Sequence, residues 1–283
     1  MKALVTGAEG MLAHDLVPCL LKQGYEVHAP PHHSLDITDL QAIRAIVDGF
    51  RPALIFNCAA YNRVDDAEKQ VQQAFTVNAV GVQNLCLVCQ EYNITLVHFS
   101  TDYVFDGSKP TPYTIYDEPN PLNVYGHSKL LGEKYIQWLL NRFYLIRTSW
   151  LFGLHGKNFI ETMLELGQKQ KRVSVVADQK GCPTFTKDLA KSTVSLVQTG
   201  RYGIYNITNS GVISWFEYAR EIFRLAGISI EVLPVTTEEF PRPAKRPKNS
   251  ILDPFPLPLV LGKEMPSWKE ALVEYLSLRK ARS

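Results

Sequence analysis

Short apolar runs alternate with longer amphipathic stretches through the first half of the chain. The apolar runs lie at 2–6, 25–29, 54–57, 94–99 and 143–147, and a stretch of helical periodicity follows each of the first four. Continuous apolar runs bounded by helical stretches are typical of strands that are buried on both faces of a parallel sheet. The pattern therefore predicts an α/β fold with a Rossmann-type, doubly wound parallel sheet.

The regular alternation loosens after Gly153. Helical stretches and short strands recur there, but loops such as Asp178–Thr184 and the Pro-rich basic segment Pro241–Lys248 separate them. One helix and one strand near 187–206 continue the earlier alternation, so we expect this segment to return to the main sheet. We expect a dinucleotide-binding domain and a smaller C-terminal α/β substrate domain. The dinucleotide-binding domain comprises 1–152 with about 187–206, and the substrate domain comprises 153–186 with 207–283.

A glycine-containing turn follows the first predicted strand, in the run Thr6-Gly7-Ala8-Glu9-Gly10-Met11-Leu12-Ala13. Gly7 permits a tight turn, and Gly10 allows a pyrophosphate to approach the backbone at a helix N-terminus. Ala13 is small enough for the helix to pack closely on the strand. The order strand, turn, helix, strand predicts a dinucleotide site. Pro18 should kink or shorten this helix.

The end of the second predicted strand leaves the choice of nicotinamide cofactor open. Dinucleotide folds usually place an acidic residue there to hold the ribose 2′-hydroxyl. The segment Ala29-Pro-Pro-His-His33 follows instead, and the next carboxylate is that of Asp36. The segment also lacks an arginine to bind a 2′-phosphate. Either NADH or NADPH is therefore compatible with this loop.

Three side chains are candidates for the chemistry. Tyr125 and Lys129 are four residues apart on a predicted helix, so they lie on the same face. A nearby cation favours the phenolate, so this pair can act as a tuned proton donor. Thr101 follows the carboxyl end of a predicted strand, where open α/β sheets place their ligands. Each signal alone is also compatible with a surface helix or a helix cap.

Further polar and small residues stand out against apolar surroundings. Small residues at 58–60 end a buried strand and leave room for a ligand across it. Asn78 interrupts the long apolar helix predicted over Ala67–Tyr92, where a satisfied buried amide and a catalytic role are equally compatible. Arg246 lies in the basic segment. It suits a diphosphate if the segment borders the site, and otherwise belongs to a solvated loop.

Composition excludes several classes of function. The chain has 283 residues, 46% of them hydrophobic, and a net charge of +2, which predicts neither nucleic-acid nor membrane-surface binding. No apolar run reaches the roughly 18 residues of a membrane span, and the N-terminus lacks the pattern of a signal peptide. Five scattered cysteines predict reduced thiols and a cytoplasmic location. The Cys86/Cys89 pair is interpreted as core packing.

Taken together, these motifs resemble the extended short-chain dehydrogenase/reductase family, and within it the dTDP-4-dehydrorhamnose reductases. Further segments carry the narrower resemblance in the expected order along almost the whole chain. They are Ser100–Gly107, Arg147–Trp150, Gly156–Phe159, Asp178–Thr184 and Arg246–Ser250.

The resemblance implies NADH- or NADPH-dependent reduction of the C4 keto group of dTDP-4-dehydro-L-rhamnose to give dTDP-L-rhamnose. It implies that Tyr125 gives the proton, that Lys129 lowers the Tyr125 pKa and holds the nicotinamide ribose, and that Thr101 hydrogen-bonds the phenol or the carbonyl. It implies sugar contacts for Thr101, Asp102 and Trp150. The cofactor-binding positions are Gly7, Gly10, Met11, Leu12, Asp36, Ile37, Ala60, Tyr61, Asn62 and Phe99, together with Tyr125 and Lys129.

Two positions depart from the family pattern. The pair Asn62-Arg63 stands where relatives more often have Thr-Ala. Some relatives form a dimer through magnesium held by glutamates, and the matching positions here are Asp15 and Asp188, with no convincing third ligand. We therefore predict no metal, and a monomer or homodimer whose substrate is a nucleotide sugar.

Two alternative functions remain at this stage. One is a non-catalytic regulatory subunit, such as the relative of this fold that accompanies methionine adenosyltransferase. A regulator does not need Thr101, Tyr125 and Lys129 in register, so their presence favours an enzyme. The other is a nucleotide-sugar epimerase or dehydratase of the same family, whose members are usually longer.

Overall fold

The computed structural model describes residues 1–282, in which short strands alternate with helices. The strands are β1 (Lys2–Thr6), β2 (Glu26–His28), β3 (Leu54–Asn57), β4 (Thr95–Thr101), β5 (Phe143–Thr148), β6 (Leu151–Phe152), β7 (Arg172–Val176), β8 (Lys180–Gly181), β9 (Thr184–Phe185), β10 (Gly203–Asn206), β11 (Ile213–Ser214) and β12 (Glu231–Val235). The helices are α1 (Met11–Lys22), α2 (Leu40–Phe50), α3 (Val64–Ala67), α4 (Val71–Phe75), α5 (Gly81–Glu91), α6 (Val124–Leu139), α7 (Phe159–Lys169), α8 (Thr186–Gln198), α9 (Trp215–Ala226), α10 (Leu257–Leu261) and α11 (Trp268–Lys280).

Six parallel strands form the central sheet in the order β2-β1-β3-β4-β5-β10, which confirms the predicted doubly wound fold. The chain moves outward from β1 to β2 and then returns to the other side of β1, so the strand order reverses between β1 and β3. Gly7 lies at this point with a positive φ of 63°, and a side chain there would collide with the backbone of Ala59. The loops after β1 and β3 thus touch where open α/β sheets bind ligands.

One face of the sheet is covered by α1 and α8, which contact each other. Helix α1 buries Leu16 and Leu20 and continues to Lys22 in spite of Pro18, so the expected shortening was wrong. Pro18 is exposed. The hydrogen bond that it removes therefore lies on the solvent side, where water can satisfy the free carbonyl.

The other face is covered by α2, α5 and α6. Two glycines permit close packing on this side. Gly81 lies directly beneath the side chain of Ile37, and Gly132 of α6 lies against the backbone carbonyl of Asn78. The chain around Asn78 is a π-helical turn, Thr76–Val80, between α4 and α5. The predicted long helix thus runs unbroken from Val71 to Glu91, but it widens into a π-turn where α6 packs against it.

Residues after β5 build a second core from α7, α9 and α11. Three short strand pairs accompany these helices: β7 with β12, β8 with β11, and β6 with β9. The loop predicted over Asp178–Thr184 contains β8 and the start of β9, and strand β12 was not predicted. Pro234 lies within β12, and a proline disfavours a strand assignment except at an edge. Strand β10 returns to pair with β5.

Candidate active site

Helix α6 begins at the carboxyl edge of the sheet and is tightly positioned there. The side chain of Asn123 caps it by accepting a hydrogen bond from the Gly126 N–H at 2.8 Å. Gly126 lies against the carbonyl oxygen of Tyr103, where no side chain would fit. The helical period then places Tyr125 and Lys129 one turn apart on the face toward β4.

The Tyr125 phenol lies beside Thr101, which ends β4. The Thr101 hydroxyl hydrogen-bonds the phenol and also accepts from the Tyr103 N–H at 3.1 Å. Burial raises the pKa of Tyr125 to about 12, the Thr101 hydrogen bond opposes that rise, and the charge of Asp102 adds to it. The phenol is therefore protonated at neutral pH, which is the state a proton donor requires.

Lys129, one turn after Tyr125 on α6, is buried and directed at β4. Its ammonium nitrogen lies 2.6 Å from the carbonyl oxygen of Phe99 and 3.2 Å from Nε2 of His98. Burial lowers the pKa of Lys129 to about 8, against the opposing effects of Glu133 and Cys58. The expected lowering of the Tyr125 pKa by Lys129 is not seen in this arrangement.

Asp102 presents an unsatisfied carboxyl oxygen next to these groups. Its Oδ1 accepts from the Thr101 hydroxyl at 3.1 Å, whereas its buried Oδ2 has no hydrogen-bond partner within residues 1–282. Burial raises the pKa of Asp102 to about 7, and the hydroxyls of Ser250 and Thr101 oppose that rise. A buried carboxyl with a free oxygen beside Tyr125 is suited to bind a hydroxyl group of a ligand.

An ion pair that the sequence analysis did not find anchors α6 to the sheet. Arg147 of β5 and Glu133 of α6 are 2.7 Å apart, with side chains 3% and 0% exposed. Ser100 donates to Glu133 at 2.5 Å, and the Arg147 guanidinium lies over the ring of Phe105. The signal was an arginine at the end of an otherwise apolar strand. We refer to Glu133 and Arg147 as the buried cluster.

Two tryptophans form an aromatic wall near the site. The rings of Trp150 and Trp215 stack with their centroids 3.5 Å apart, and Trp150 adopts a positive φ of 48°. The edge of the Trp150 indole covers Gly181, where a Cβ would be 2.5 Å away. Trp215, which the sequence analysis missed, lines a cleft of about 1410 Å³. Trp150 does not line this cleft but stacks on the Trp215 ring from behind. The contact of Trp150 with a sugar stays a prediction.

Arg246 lines the same cleft but is already paired. Its guanidinium donates to Asp65 Oδ1 at 2.8 Å, and Arg242 donates to Asp65 Oδ2 at 2.6 Å. Burial alone would raise the pKa of Asp65, but hydrogen bonds from Arg246, Arg242 and the Ala244 N–H lower it to about 2. Arg246 also hydrogen-bonds Tyr103. We refer to Asp65, Arg242 and Arg246 as the rim cluster.

The glycine turn fits a dinucleotide. Gly10 is the N-cap residue of α1 and supplies no capping side chain, so the first turn of the helix keeps free N–H groups beside Gly7. Met11 packs toward Gly153, and Leu12 is buried in the core, which leaves its backbone for ligand contact. These residues therefore suit the diphosphate of a nicotinamide dinucleotide.

The other predicted cofactor positions lie on the neighbouring loops. Both backbone groups of Tyr61 are bound by Asn78, at 2.8 and 2.9 Å, and Asn78 also donates to Ser128 at 3.0 Å. Asn78 is thus a satisfied buried amide that holds the loop after β3 against α6. The remaining positions are the exposed Ala60 and Asn62, the buried Ile37 and Phe99, and Asp36, which accepts two hydrogen bonds from Thr38.

A carboxylate near the end of β2 was missed. Glu9, from the glycine turn, accepts from the His32 N–H at 3.1 Å. This contact places a negative charge beside the loop that was expected to lack one. Its exposed position was indistinguishable in the sequence from an ordinary solvated glutamate.

The two acidic residues that match metal ligands of some relatives are otherwise engaged. Asp15 accepts from the Thr186 hydroxyl at 2.6 Å, and Asp188 accepts from the Asn209 amide at 2.9 Å. Across residues 1–282, no three His, Cys, Asp or Glu side chains come together as a potential metal site. The same described residues include no helix with both the length and the apolar composition to cross a bilayer.

Comparison with known proteins identifies close relatives. The family model described as "RmlD substrate binding domain" matches residues 1–280. The dTDP-4-dehydrorhamnose reductase of Aggregatibacter actinomycetemcomitans is 40% identical, over 96% of this chain and 97% of that protein. The dTDP-4-keto-6-deoxy-D-glucose reductase of Streptomyces niveus is 43% identical, over 88% of this chain and 87% of that protein. Among solved structures, the Bacillus anthracis dTDP-4-dehydrorhamnose reductase in complex with NADP superimposes with a TM-score of 0.94. Its sequence is 41% identical, and the match covers 98% of this chain and 99% of that chain.

Proposed function

Since the chain belongs to the RmlD substrate binding domain family, we propose that it reduces the C4 keto group of dTDP-4-dehydro-L-rhamnose to give dTDP-L-rhamnose. NADPH or NADH is the reductant. Relatives named dTDP-4-dehydrorhamnose reductase, and the NADP complex of the Bacillus anthracis enzyme, support this activity.

The single observation that carries the proposal is the arrangement of Tyr125, Thr101 and Lys129 at the carboxyl edge of the sheet. A protonated phenol hydrogen-bonded to Thr101 is a proton donor held at the carboxyl end of β4. A purely structural helix has no reason to bury a lysine one turn from such a phenol, because each buried polar group costs free energy. The arrangement therefore favours the enzyme over the regulatory subunit.

The residues have separate tasks in this reaction. The bound nicotinamide supplies the hydride to C4. Tyr125 donates its proton to the oxygen on that carbon, and Thr101 holds the phenol in position by its hydrogen bond. Asp102 offers its free Oδ2 to a sugar hydroxyl. Lys129 donates a hydrogen bond to the Phe99 carbonyl oxygen. In the family pattern the lysine at this position holds the nicotinamide ribose, and we assign Lys129 the same task.

The cleft supports a nucleotide sugar as substrate. Its aromatic wall, Trp215 backed by Trp150, suits a 6-deoxy sugar ring or a nucleotide base. Arg246 suits a diphosphate, which a free keto sugar lacks. Charge-assisted contacts are worth about 1.5–3 kcal/mol each, so the loss of two of them should make the free sugar turn over at least about a hundredfold more slowly than its dTDP form.

The cofactor preference follows from the loop after β2. This loop has no side-chain carboxylate of its own at the strand end, so we expect NADPH to serve no worse than NADH in kcat/KM. Glu9 lies close by and is the group that would oppose a 2′-phosphate. Glu9→Gln should therefore shift the ratio toward NADPH. A hundredfold preference of the unmodified protein for NADH would show that the loop was misinterpreted.

Product analysis tests the activity directly. The protein is incubated with dTDP-4-dehydro-L-rhamnose and NADPH, and the product is identified by NMR. We expect dTDP-L-rhamnose with stoichiometric oxidation of the cofactor. An isomerised keto sugar without net oxidation would indicate an epimerase instead. The Streptomyces niveus relative favours a second substrate, dTDP-4-keto-6-deoxy-D-glucose, which serves as the parallel assay.

The proposal extends to the organisation of the protein. Residues 1–152 with about 187–206 bind the cofactor, and 153–186 with 207–283 bind the sugar nucleotide. The pairing of β10 with β5 supports this division. We further propose a cytoplasmic enzyme that acts as a monomer or homodimer, without a resident metal and without a nucleic-acid partner. Sedimentation analysis in the presence and absence of magnesium tests its oligomeric state.

A further inference from the structure

Three polar side chains form a row across the sheet beneath the active site. Thr6, Asn57 and His98 are register partners on β1, β3 and β4, so their side chains emerge on the same face. The positions two residues earlier in each strand are apolar and pack against the helices of that face. All three polar residues are buried, so each needs a hydrogen-bond partner. We refer to them as the polar row.

The orientation of the Asn57 amide is determined by its neighbours. Its oxygen accepts from the Ala59 backbone N–H at 3.2 Å and from the Thr6 hydroxyl at 2.7 Å. The reverse orientation would place the amide nitrogen against the Ala59 N–H, with two donors facing each other. The amide nitrogen therefore donates to Nδ1 of His98, at 2.9 Å.

This contact selects the tautomer of His98. Because Nδ1 accepts a hydrogen bond, a neutral imidazole must carry its proton on Nε2. An imidazolium is disfavoured, because its Nδ1–H would face the Asn57 amide hydrogens. Burial and the charge of Lys129 also lower the pKa of His98 well below its usual value. His98 is therefore a neutral ring with Nε2–H directed at α6.

The Nε2–H of His98 faces the nitrogen of Lys129 at 3.2 Å. An ammonium group has no lone pair, so it cannot accept this hydrogen bond. A neutral amine can accept from His98 and still donate to the Phe99 carbonyl, 2.6 Å away. The geometry thus favours loss of a proton from Lys129.

Few other groups act on the Lys129 charge. Cys58, at the end of β3, has its pKa raised to about 12 by burial and is a neutral thiol. Glu133, one turn along α6, favours the ammonium but is itself paired with Arg147. His98 is the facing group from β4. Burial is the largest influence on the Lys129 charge, and among the neighbouring groups the remaining balance depends on which hydrogen-bonding atom His98 presents.

We propose that His98 is a positioning residue whose Nε2–H donates to Lys129 and eases the loss of the lysine proton in the cofactor-free protein. Asn57 supplies the orientation and passes no proton, since an amide nitrogen neither accepts nor relays one. The polar row sets a charge state and is not a path for protons. Where the inference touches kinetics, it rests on the proposed function.

The first test measures the tautomer directly in the cofactor-free full chain. Nitrogen-15 NMR of the seven histidines distinguishes Nε2–H, Nδ1–H and the imidazolium. The His98 signal is identified by its loss in His98→Asn. We expect the Nε2–H form at both pH 7 and pH 9, because Asn57 enforces it. A signal for Nδ1–H or for the imidazolium would overturn the proposal, whether or not the variant folds.

The second test follows the titration of Lys129 by carbon-13 NMR at Cε, assigned with Lys129→Met. His98→Asn keeps an acceptor for Asn57 but removes the group that faces Lys129. The Lys129 midpoint should rise by about one pH unit, roughly a tenfold change in proton affinity. His98→Gln restores a donor of similar reach and should return the midpoint toward that of the unmodified protein. An unchanged midpoint in a folded His98→Asn variant would refute the proposal.

His127→Asn is the matched control, because it makes the same substitution on the exposed side of α6. It should leave the Lys129 midpoint unchanged. In kinetics, the activity of the unmodified protein should fall as the pH rises through the pKa of Lys129, about 8. His98→Asn should move this alkaline limit to higher pH. A failed product assay would contradict the proposed function while leaving both NMR outcomes valid.

Discussion

The buried cluster and the rim cluster are both arginine–carboxylate groups, but they differ in exposure and in location. Glu133 and Arg147 are almost completely buried under the active site. In the rim cluster, Arg242 is 50% exposed, Arg246 16% and Asp65 21%, and both arginines line the cleft.

The difference shows what each cluster is able to do. A buried pair cannot exchange partners, because a stranded charge would lose its solvation without compensation. It therefore serves to fix α6 on the sheet. The rim cluster borders the cleft and water, so water can solvate Asp65 if its arginines bind another anion instead. The first arrangement suits positioning of Tyr125, and the second suits binding of a charged substrate.

The largest effect is expected at Tyr125, whose position depends on the buried cluster. Tyr125→Phe removes the proton donor and should reduce kcat by roughly 10²–10⁴. Cofactor affinity, measured by NADPH fluorescence, should remain close to normal. Near-normal turnover by the purified variant would show that another group supplies the proton.

Removal of one partner tests the buried cluster itself. Arg147→Met leaves Glu133 buried and unpaired, so the free energy of unfolding should fall by about 3–5 kcal/mol in urea titrations. The double variant Arg147→Met/Glu133→Leu removes both charges and should recover most of that loss. Equal stability of the single and double variants would contradict the view that the stranded charge is the cause.

Arg246 tests the rim cluster through its function. Arg246→Ala should raise KM for the dTDP-sugar by roughly tenfold or more, while KM for the cofactor changes little. Arg242→Ala is the comparison variant, since it removes the more exposed arginine from the same carboxylate and should raise the same KM less than Arg246→Ala does. If Arg246→Ala instead weakens the cofactor and spares the sugar, the basic segment belongs to the other site.

The smallest effect concerns the pH dependence of the rim cluster. The folded-state pKa of Asp65 is about 2, below its ordinary value of 3.8, so its stabilisation is complete above pH 4. That contribution, up to about 2 kcal/mol, is lost as the pH falls from about 4 to about 2. The stability difference between the unmodified protein and Asp65→Asn should therefore be smaller at pH 3 than at pH 7. A difference that grows on acidification would contradict this sign.

Local patterns in the sequence determined the sheet strands, the glycine turn and the register of Tyr125 with Lys129. Each depends on residues within one element, where periods of two or 3.6 residues decide which face a side chain occupies. Errors arose where context changed a local rule. Pro18 did not shorten α1, because it faces water. Strand β12 was missed because it contains Pro234, and a proline argues against a strand except at a sheet edge, where β12 lies.

Only the tertiary structure decided which distant side chains meet. Asn57 contacts His98 across 41 positions, His98 contacts Lys129 across 31, and Asp65 contacts Arg246 across 181. Such pairs depend on strand order and register, which no periodicity within a single element encodes. Burial then changes their chemistry, since it lowers the pKa of Lys129 to about 8 and raises that of Asp102 to about 7. The sequence thus determined which groups are available, and packing decided their charge and their partners.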